Sequence, residues 1–342
     1  MRFTVAGVFH LYFGDASRHP IVSNYIRSLP DLPQKIVLQS VPQARLRRLL
    51  KMIQELLRIR RQRDWVLQCH DVVSGVIGSM LWKGRIIYDS HEIYSSFADR
   101  KSVAKMIDWL ERFTISRARI VVFPSVYRSE FYHLERSEVR IIENLYYPYD
   151  TEEQQESCDV AVPGDEDSRV ARMRFVYTGL FTPVRATDEI LAAFKHPLLR
   201  KSDLILAGKF NSYLESVLAG APDNVEYLGE LSHAAVSNLL KSADAGFALY
   251  RPVNENNRRC APTKIFEFLY FGLQVIASQS PYIMDIKNRY AGDQITALDE
   301  ITAESILNAC LAVDRRGKSI DHEMREAVCW TSQMSTLKSL YD

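Results

Sequence analysis

The chain has 342 residues, more than one ordinary hydrophobic core holds and a comfortable length for two domains of about 150 residues each. A composition of 47% hydrophobic, 25% charged and 11% aromatic residues excludes a disordered or fibrous protein, and at a net charge of +1 no nucleic-acid partner is expected. No stretch reaches the roughly 18 uninterrupted apolar residues of a membrane span, because even FEFLYFGLQVIAS is broken by Glu267 and Gln274.

The opening MRFTVAGVFHLYFGD reads as a first strand, with no small-residue cleavage site of a secretion signal behind it. The loop that follows carries Gly7 and Gly14 but does not match GxGxxG, and no acidic residue stands at the spacing that would hold a dinucleotide ribose. Gly14 is left as either a turn glycine or a backbone approach to a ligand. Residues 43–64 form a basic amphipathic helix, with eight Lys or Arg and one acid, Glu55, between Arg45 and Arg63. Its apolar positions Leu46, Leu49, Leu50, Ile53 and Leu57 suit either a core-facing stripe or docking on an anionic membrane surface.

The runs KIVLQS, DWVLQCH, RIIYDSHE, ARIVVFPS and VRIIEN then alternate with longer helical stretches, the pattern of βαβ units and a parallel sheet. Two of these strands end in His70-Asp71 and His91-Glu92, which brings two histidines and two acids to the carboxyl edge of the sheet, where ligands bind in such folds. Each histidine is read either as a hydrogen-bonded structural residue or as a site residue, and HEIYS lacks the second histidine of the zinc motif HExxH. Residues 1–150 are taken as the first domain and the polar stretch 151–170 as a linker. Asp165-Glu166-Asp167 spells an Asp-x-Asp metal motif, but in a linker it reads as solvated acid.

The strand and helix alternation restarts with MRFVYTG, DLILAGK, VEYLGE, AGFALY and LQVIASQ, a second Rossmann-like domain over 171–325, and the closing residues 326–342 form a helix returning to the first domain. The expected fold is thus α/β, two Rossmann-like domains facing a central cleft. Cys69, Cys158, Cys260, Cys310 and Cys329 are scattered without metal or redox spacing and read as reduced, cytosolic cysteines. Near the end of the AGFALY strand a polar loop begins, and Pro262 then opens a short helix that stops at Gly272. Lys264 and Glu267 lie three residues apart on one face of that helix, near its positive end. A cation beside free N–H groups suits a diphosphate, and a carboxylate suits ribose hydroxyls.

The segment APTKIFEFLYFG closely resembles the donor-binding signature of family 4-like glycosyltransferases of GT-B fold. FVYTGLFTPVRATDEILAAF resembles that family's strand, glycine loop and helix, with Arg185 six positions after Gly179, and LILAGK places Gly208 in the next such loop. DSHE, PSVYRSEFY and VRIIEN resemble the histidine, serine and asparagine landmarks of the other domain, at His91, Ser125 and Asn144. Two positions depart from the pattern: Arg259 stands where many members carry a second glutamate, and Leu180 where a basic residue often follows the glycine.

The resemblance implies transfer of a sugar from a nucleoside diphosphate sugar to a hydroxyl of a glycan or lipid-linked acceptor, with retained configuration and no metal or other cofactor. It implies a donor site at Gly14, Gly179, Arg185, Gly208, Cys260, Ala261, Thr263, Lys264 and Glu267, with His91 as the catalytic residue. It also implies a role in bacterial surface polysaccharide or glycoconjugate synthesis, in the cytoplasm or peripherally at the inner face of the plasma membrane. A UDP-sugar 2-epimerase-like isomerase and an inactive transferase-like binding subunit remain as alternatives.

Overall fold

The computed structural model describes residues 4–15, 19–38, 44–134, 138–148, 172–290, 292–314 and 322–342. The expected linker 151–170, with Asp165, Glu166, Asp167 and Cys158, lies outside the described residues.

The first half runs β1 (Gly7–Leu11), α1 (Pro20–Ser28), β2 (Gln34–Ile36), α2 (Arg45–Ile59), β3 (Trp65–Cys69), α3 (Val72–Leu81), β4 (Arg85–Asp89), α4 (Lys101–Arg117), β5 (Ile120–Phe123), α5 (Val126–Glu130) and β6 (Val139–Ile141). The second half runs β7 (Met173–Thr178), α6 (Thr187–Phe194), β8 (Ser202–Ala207), α7 (Ser212–Leu218), β9 (Val225–Tyr227), α8 (His233–Ser242), β10 (Ala245–Ala248), α9 (Glu255–Arg258), α10 (Thr263–Tyr270), β11 (Gln274–Ser278), α11 (Pro281–Tyr290), β12 (Ile295–Leu298) and α12 (Ala303–Ala312). Two short helices, α13 (His322–Ala327) and α14 (Met334–Ser339), close the chain.

The strands form two separate six-stranded sheets, ordered β2-β1-β3-β4-β5-β6 and β12-β11-β10-β7-β8-β9, and the neighbours in each pair in parallel. These are two Rossmann-like sheets, as the alternation of short apolar runs with helices predicts. Strand burial explains the sequence pattern: β1 is buried at all five positions and β10 at all four, since helices on both faces leave no solvent side to demand alternation. In each sheet the winding reverses once, between β1 and β3 in the first and between β7 and β10 in the second. The crevice at such a reversal is where open α/β sheets bind ligands.

Two compact units result. One comprises 1–144 together with Asn254–Ala261 and Trp330–Asp342, and the other Leu145–Val253 with Pro262–Cys329. The polar loop expected after β10 therefore carries one extra helix turn, α9, and it packs with the first unit, although its sequence position lies within the second half. Asn256 Oδ1 accepts from the Ile93 N–H at 2.9 Å, and Arg259 Nη1 donates to the Tyr127 carbonyl at 2.7 Å. The closing segment fills the first unit as well: Trp330 and Tyr341 are fully buried, with the Trp330 indole N–H donating to Ser28 Oγ at 2.8 Å and stacking edge-on against Tyr25. Cys69, Cys260, Cys310 and Cys329 are all buried, and burial pushes the Cys69 thiol well up.

Candidate functional site

In the second unit, β7 runs straight into Gly179 and β8 into Gly208, and both glycines have positive φ, 131° and 152°. The sequence needs glycine here because the two turns touch: a Cβ on Gly208 would lie 2.0 Å from the Gly179 carbonyl oxygen. A Cβ on Gly179 would meet nothing, so its loop edge is open. Pro183–Arg185 then makes a single tight turn, and Ala186 enters the left-handed region at φ 54° before α6 starts. That turn is held by a residue the sequence reading missed. Arg251 donates from Nη1 to the Pro183 carbonyl at 2.8 Å, its backbone N–H binds the Val184 carbonyl at 2.8 Å, and Nη2 pairs with Glu189 at 3.1 Å. With its turn fixed, Arg185 lays its guanidinium on the Tyr250 ring, 3.7 Å from the centroid.

α10 forms because TKIFEFLY places Ile265, Phe266, Phe268 and Leu269 in the core, and it ends where Gly272 takes φ 75°. Pro262 occupies the position before its first turn and no side chain caps it, which leaves first-turn N–H groups for an anion. Lys264 Nζ binds Glu267 Oε2 at 2.7 Å, with the two side chains 31% and 12% exposed. A helix pair of this kind contributes only about 0.2–0.5 kcal/mol, whereas a charge-assisted hydrogen bond contributes about 1.5–3. A phosphate can therefore take the lysine at little cost, leaving the carboxylate to accept from hydroxyls.

Tyr177, Thr178, Gly179, Leu180, Arg185, Phe247, Ala248, Leu249, Tyr250 and Lys264 line one small cavity of about 110 Å³. It sits at the carboxyl ends of β7 and β10, the winding reversal of this sheet. Of the residues singled out in sequence, Gly179, Arg185 and Lys264 meet there. Glu267 joins through its pair with Lys264, Gly208 lies against Gly179, and Thr263 is exposed at the start of α10. Cys260 and Ala261 are buried with the first unit, where the Ala261 carbonyl accepts from Asn144 Nδ2 at 2.8 Å. A larger hollow of about 400 Å³ lies against β2 and α2, lined by Phe9, Lys35, Lys51, Glu55 and Ile59. It is at the edge of its sheet, away from the winding reversal.

In the first unit the carboxyl edge gathers more histidine than the sequence revealed. His10 from β1, His70 after β3 and His91 after β4 stack in a row, with ring centroids 5.3 and 5.4 Å apart. Gln34 sets their protons: its Nε2 donates to the carbonyls of Ile26 and Leu29 at 3.1 and 3.0 Å, so its Oε1 must face His10 Nε2, 2.9 Å away. His10 is therefore protonated on Nε2. Burial, with His70 adding to it, pushes its pKa down to about 3, so the ring is neutral and Nδ1 accepts from His70 Nε2 at 3.0 Å. His70 Nδ1 in turn faces His91 Nε2 at 3.2 Å and Asp89 Oδ2 at 3.3 Å.

Burial opposes ionisation of Asp89, but His91 and the hydrogen bond from His70 outweigh it and hold the carboxyl below its usual range. Gln68 is fixed between Tyr341 and this carboxylate: its Oε1 accepts from the Tyr341 hydroxyl and its Nε2 donates to Asp89 Oδ2 at 3.4 Å. His91, pushed down to about 4 by burial, turns Nε2 into this group. The Asp-x-His spacing of Asp89 and His91 at a strand end was the signal available for the acid. Nothing local marked His10, a strand residue 60 positions from its partner.

The neighbours of His91-Glu92 and His70-Asp71 have other work. Asp71 caps α3 in a reciprocal box with Ser74 and accepts from the Phe13 N–H at 2.6 Å, which fixes the loop carrying Gly14. Ser125 caps α5, from which the buried Arg128 donates to the His91 carbonyl. Glu92 lies half-exposed near Arg128. Arg259 pairs with Glu255 at 3.2 Å within the first unit.

Solved structures share this arrangement over nearly the whole chain. The sucrose-phosphate synthase of Thermosynechococcus elongatus matches with a TM-score of 0.74 at 14% identity, covering 98% of each chain. The chain has the GT-B fold. The Anabaena protein HepE in complex with UDP-glucose matches at 0.66 and 14% identity, again over 98% of each chain. A putative UDP-N-acetylglucosamine 2-epimerase from Listeria monocytogenes matches at 0.59 and 10% identity, over 98% of this GT-B chain and 97% of its own. No family model matches the sequence, and no curated protein matches it. Among the described residues no helix is long and apolar enough to cross a membrane.

Proposed function

We propose that this chain is a glycosyltransferase that moves a sugar from a nucleoside diphosphate sugar to a hydroxyl acceptor, with its donor site in the β7/β10 cavity. The observation that carries the reading is the meeting of Gly179, Arg185 and Lys264 at the winding reversal, beside an uncapped helix start. Arg185 and Lys264, with the first-turn N–H groups of α10, supply positive charge where a departing diphosphate gathers negative charge, and Glu267 accepts from the ribose. These groups need no metal to do so. A uridine nucleotide is the first choice, because HepE, similar in fold, is solved with UDP, with UDP-glucose and with UDP and glucose.

His91 is the proposed catalytic residue. With Nε2 turned toward Asp89 and His70, it has Nδ1 to offer to a sugar hydroxyl. Cys260, Ala261, Thr263 and Gly14 are proposed as further donor contacts. The acceptor is proposed to be a glycan or lipid-linked sugar, reached through docking of α2 on an anionic inner membrane surface, with retention of configuration and a place in surface polysaccharide or glycoconjugate synthesis. The likeness to an epimerase supports the second reading, isomerisation of the nucleotide sugar at the same site.

Isothermal titration of UDP against the wild type, Lys264→Ala and Glu267→Ala tests the site. The expected outcome is a loss of about tenfold or more for Lys264→Ala, the equivalent of one charge-assisted hydrogen bond. Unchanged affinity in both variants would refute the placement. Release of free UDP only when a sugar acceptor is present then separates transfer from isomerisation.

A further inference from the structure

Three side chains able to ligate a metal, His70, Asp89 and His91, meet at the carboxyl edge of the first sheet. Gln34 fixes the proton of His10 on Nε2, so that His10 Nδ1 faces His70 Nε2, and His70 turns Nδ1 into the cluster. His70 Nδ1, His91 Nε2 and Asp89 Oδ2 converge on one another, with edges of 3.2, 3.3 and 3.7 Å. Two imidazole nitrogens and a carboxylate oxygen placed this close together are ligand atoms that one divalent cation can take.

The edge lengths identify the kind of cation. Ligand atoms at about 2.05 Å around a tetrahedral zinc ion lie about 3.3 Å apart. Around an octahedral ion at about 2.1 Å, adjacent ligands lie about 3.0 Å apart. The observed triangle is close to the tetrahedral spacing, and a point about 2.1 Å from all three atoms lies just off its plane, as an ion in a tetrahedral site does. The donor set of two imidazoles and one carboxylate is also a zinc set rather than one for magnesium or calcium. Both outer supports expected of such a site are in place. His70 passes its other N–H to His10, which is anchored by Gln34, and Asp89 is held by Gln68, which is anchored by Tyr341.

We propose that His70, Asp89 and His91 bind one zinc ion, or a similar borderline divalent cation, through His70 Nδ1, His91 Nε2 and Asp89 Oδ2, with a fourth coordination position open. His70 and Asp89 are fully enclosed, and the His91 side chain is 9% exposed, so the open position lies on the His91 side. The site belongs to the first unit and does not depend on the donor reading, since Lys264, Glu267 and Arg185 belong to the second.

The test uses the full chain stripped with a chelator and dialysed. Zinc uptake is read by elemental analysis and calorimetry, and cobalt(II) as a substitute is read by its visible d–d absorption, intense only in tetrahedral sites. The expected result is one equivalent per chain at micromolar affinity or tighter, an intense cobalt band, and a rise in Tm that chelator reverses. His91→Ala and Asp89→Asn should each weaken binding at least about tenfold and abolish the cobalt band. Should Asp89→Asn fail to fold, His91→Ala, at the rim of the cluster, carries the test alone. A wild-type chain that takes up no zinc at micromolar concentration overturns the proposal, as do variants that keep wild-type affinity and spectrum. UDP affinity measured in parallel stands or falls with the second unit, so the two readings fail separately.

Discussion

Glu111 on α4 has a fully buried carboxyl whose Oε1 accepts from the Tyr88 hydroxyl at 2.7 Å and from Ser90 Oγ at 3.0 Å. Burial outweighs these hydrogen bonds and raises its pKa from 4.5 to about 7. A carboxyl with a raised folded pKa favours the fold fully below about 4.5, and that contribution is lost as pH rises through about 7. His10 and His91 act in the opposite sense: held neutral, with pKa values lowered to about 3 and about 4, they favour the fold above about 6.5 and withdraw support as pH falls. Comparing urea midpoints of the wild type and Glu111→Gln isolates the carboxyl. The wild type should lose stability relative to the variant between pH 5 and about 8, and parallel profiles would contradict the assignment.

At this scale the sequence was legible wherever spacing is local. The interval from Gly179 to Arg185 and the i,i+3 pair Lys264–Glu267 could be read directly, because each lies within one turn or one helix. Arg251, 62 residues from Glu189, and His10, 60 residues from His70, could not be read in this way, since only the folded sheet brings them together.

Among the elements, α2 carries apolar residues on two faces. Met52 and Leu56 are buried in the core of the first unit, while Leu46, Leu50 and Leu57 are 69%, 58% and 41% exposed along a row at helical spacing. The sequence reading left a choice between a core helix and a docking helix, because hydrophobic periodicity counts apolar positions without saying which neighbour covers them. With Arg45, Arg47, Arg48 and Lys51 close by in sequence, the exposed row is the face by which α2 is proposed to dock on an anionic bilayer. Each leucine buried there contributes about 1.5–3 kcal/mol, so Leu46→Ser with Leu50→Ser should reduce co-sedimentation with anionic vesicles by more than about tenfold. Their exposure means that Tm should stay unchanged. Failure of the wild type to sediment with any anionic lipid would exclude the membrane role.

The same contrast holds for α10 and the loop before it. Pro262 and Gly272 punctuate the helix in sequence, so its ends were predictable, whereas a polar loop encodes no packing partner, and the docking of Asn254–Ala261 in the first unit had no local signal.

On the scale of the molecule, two parallel sheets followed from the alternation of short apolar runs with helical stretches, but the strand orders, and with them the winding reversals that locate both clusters, are topological facts that this alternation does not carry. The first unit takes its last pieces from the far end of the chain. Trp330, Leu337, Leu340 and Tyr341 are all at most 1% exposed. Deleting residues 330–342 removes four such side chains, and at roughly 2–5 kcal/mol each that loss rivals the 5–15 kcal/mol by which a whole domain is stable. The truncated chain should show no cooperative calorimetric transition for its first unit, and a preserved transition would mean that the segment is dispensable.

That arrangement also orders events on the ribosome. Nearly two hundred residues separate Asn144 from Trp330, and at about 5–20 residues per second the nascent first sheet must wait roughly ten to forty seconds for the indole that closes it. The later-made sheet can mature first. Throughout that delay Gln68 and Tyr25 stay uncovered, which makes the half-synthesised chain the form most exposed to chaperones and to premature aggregation.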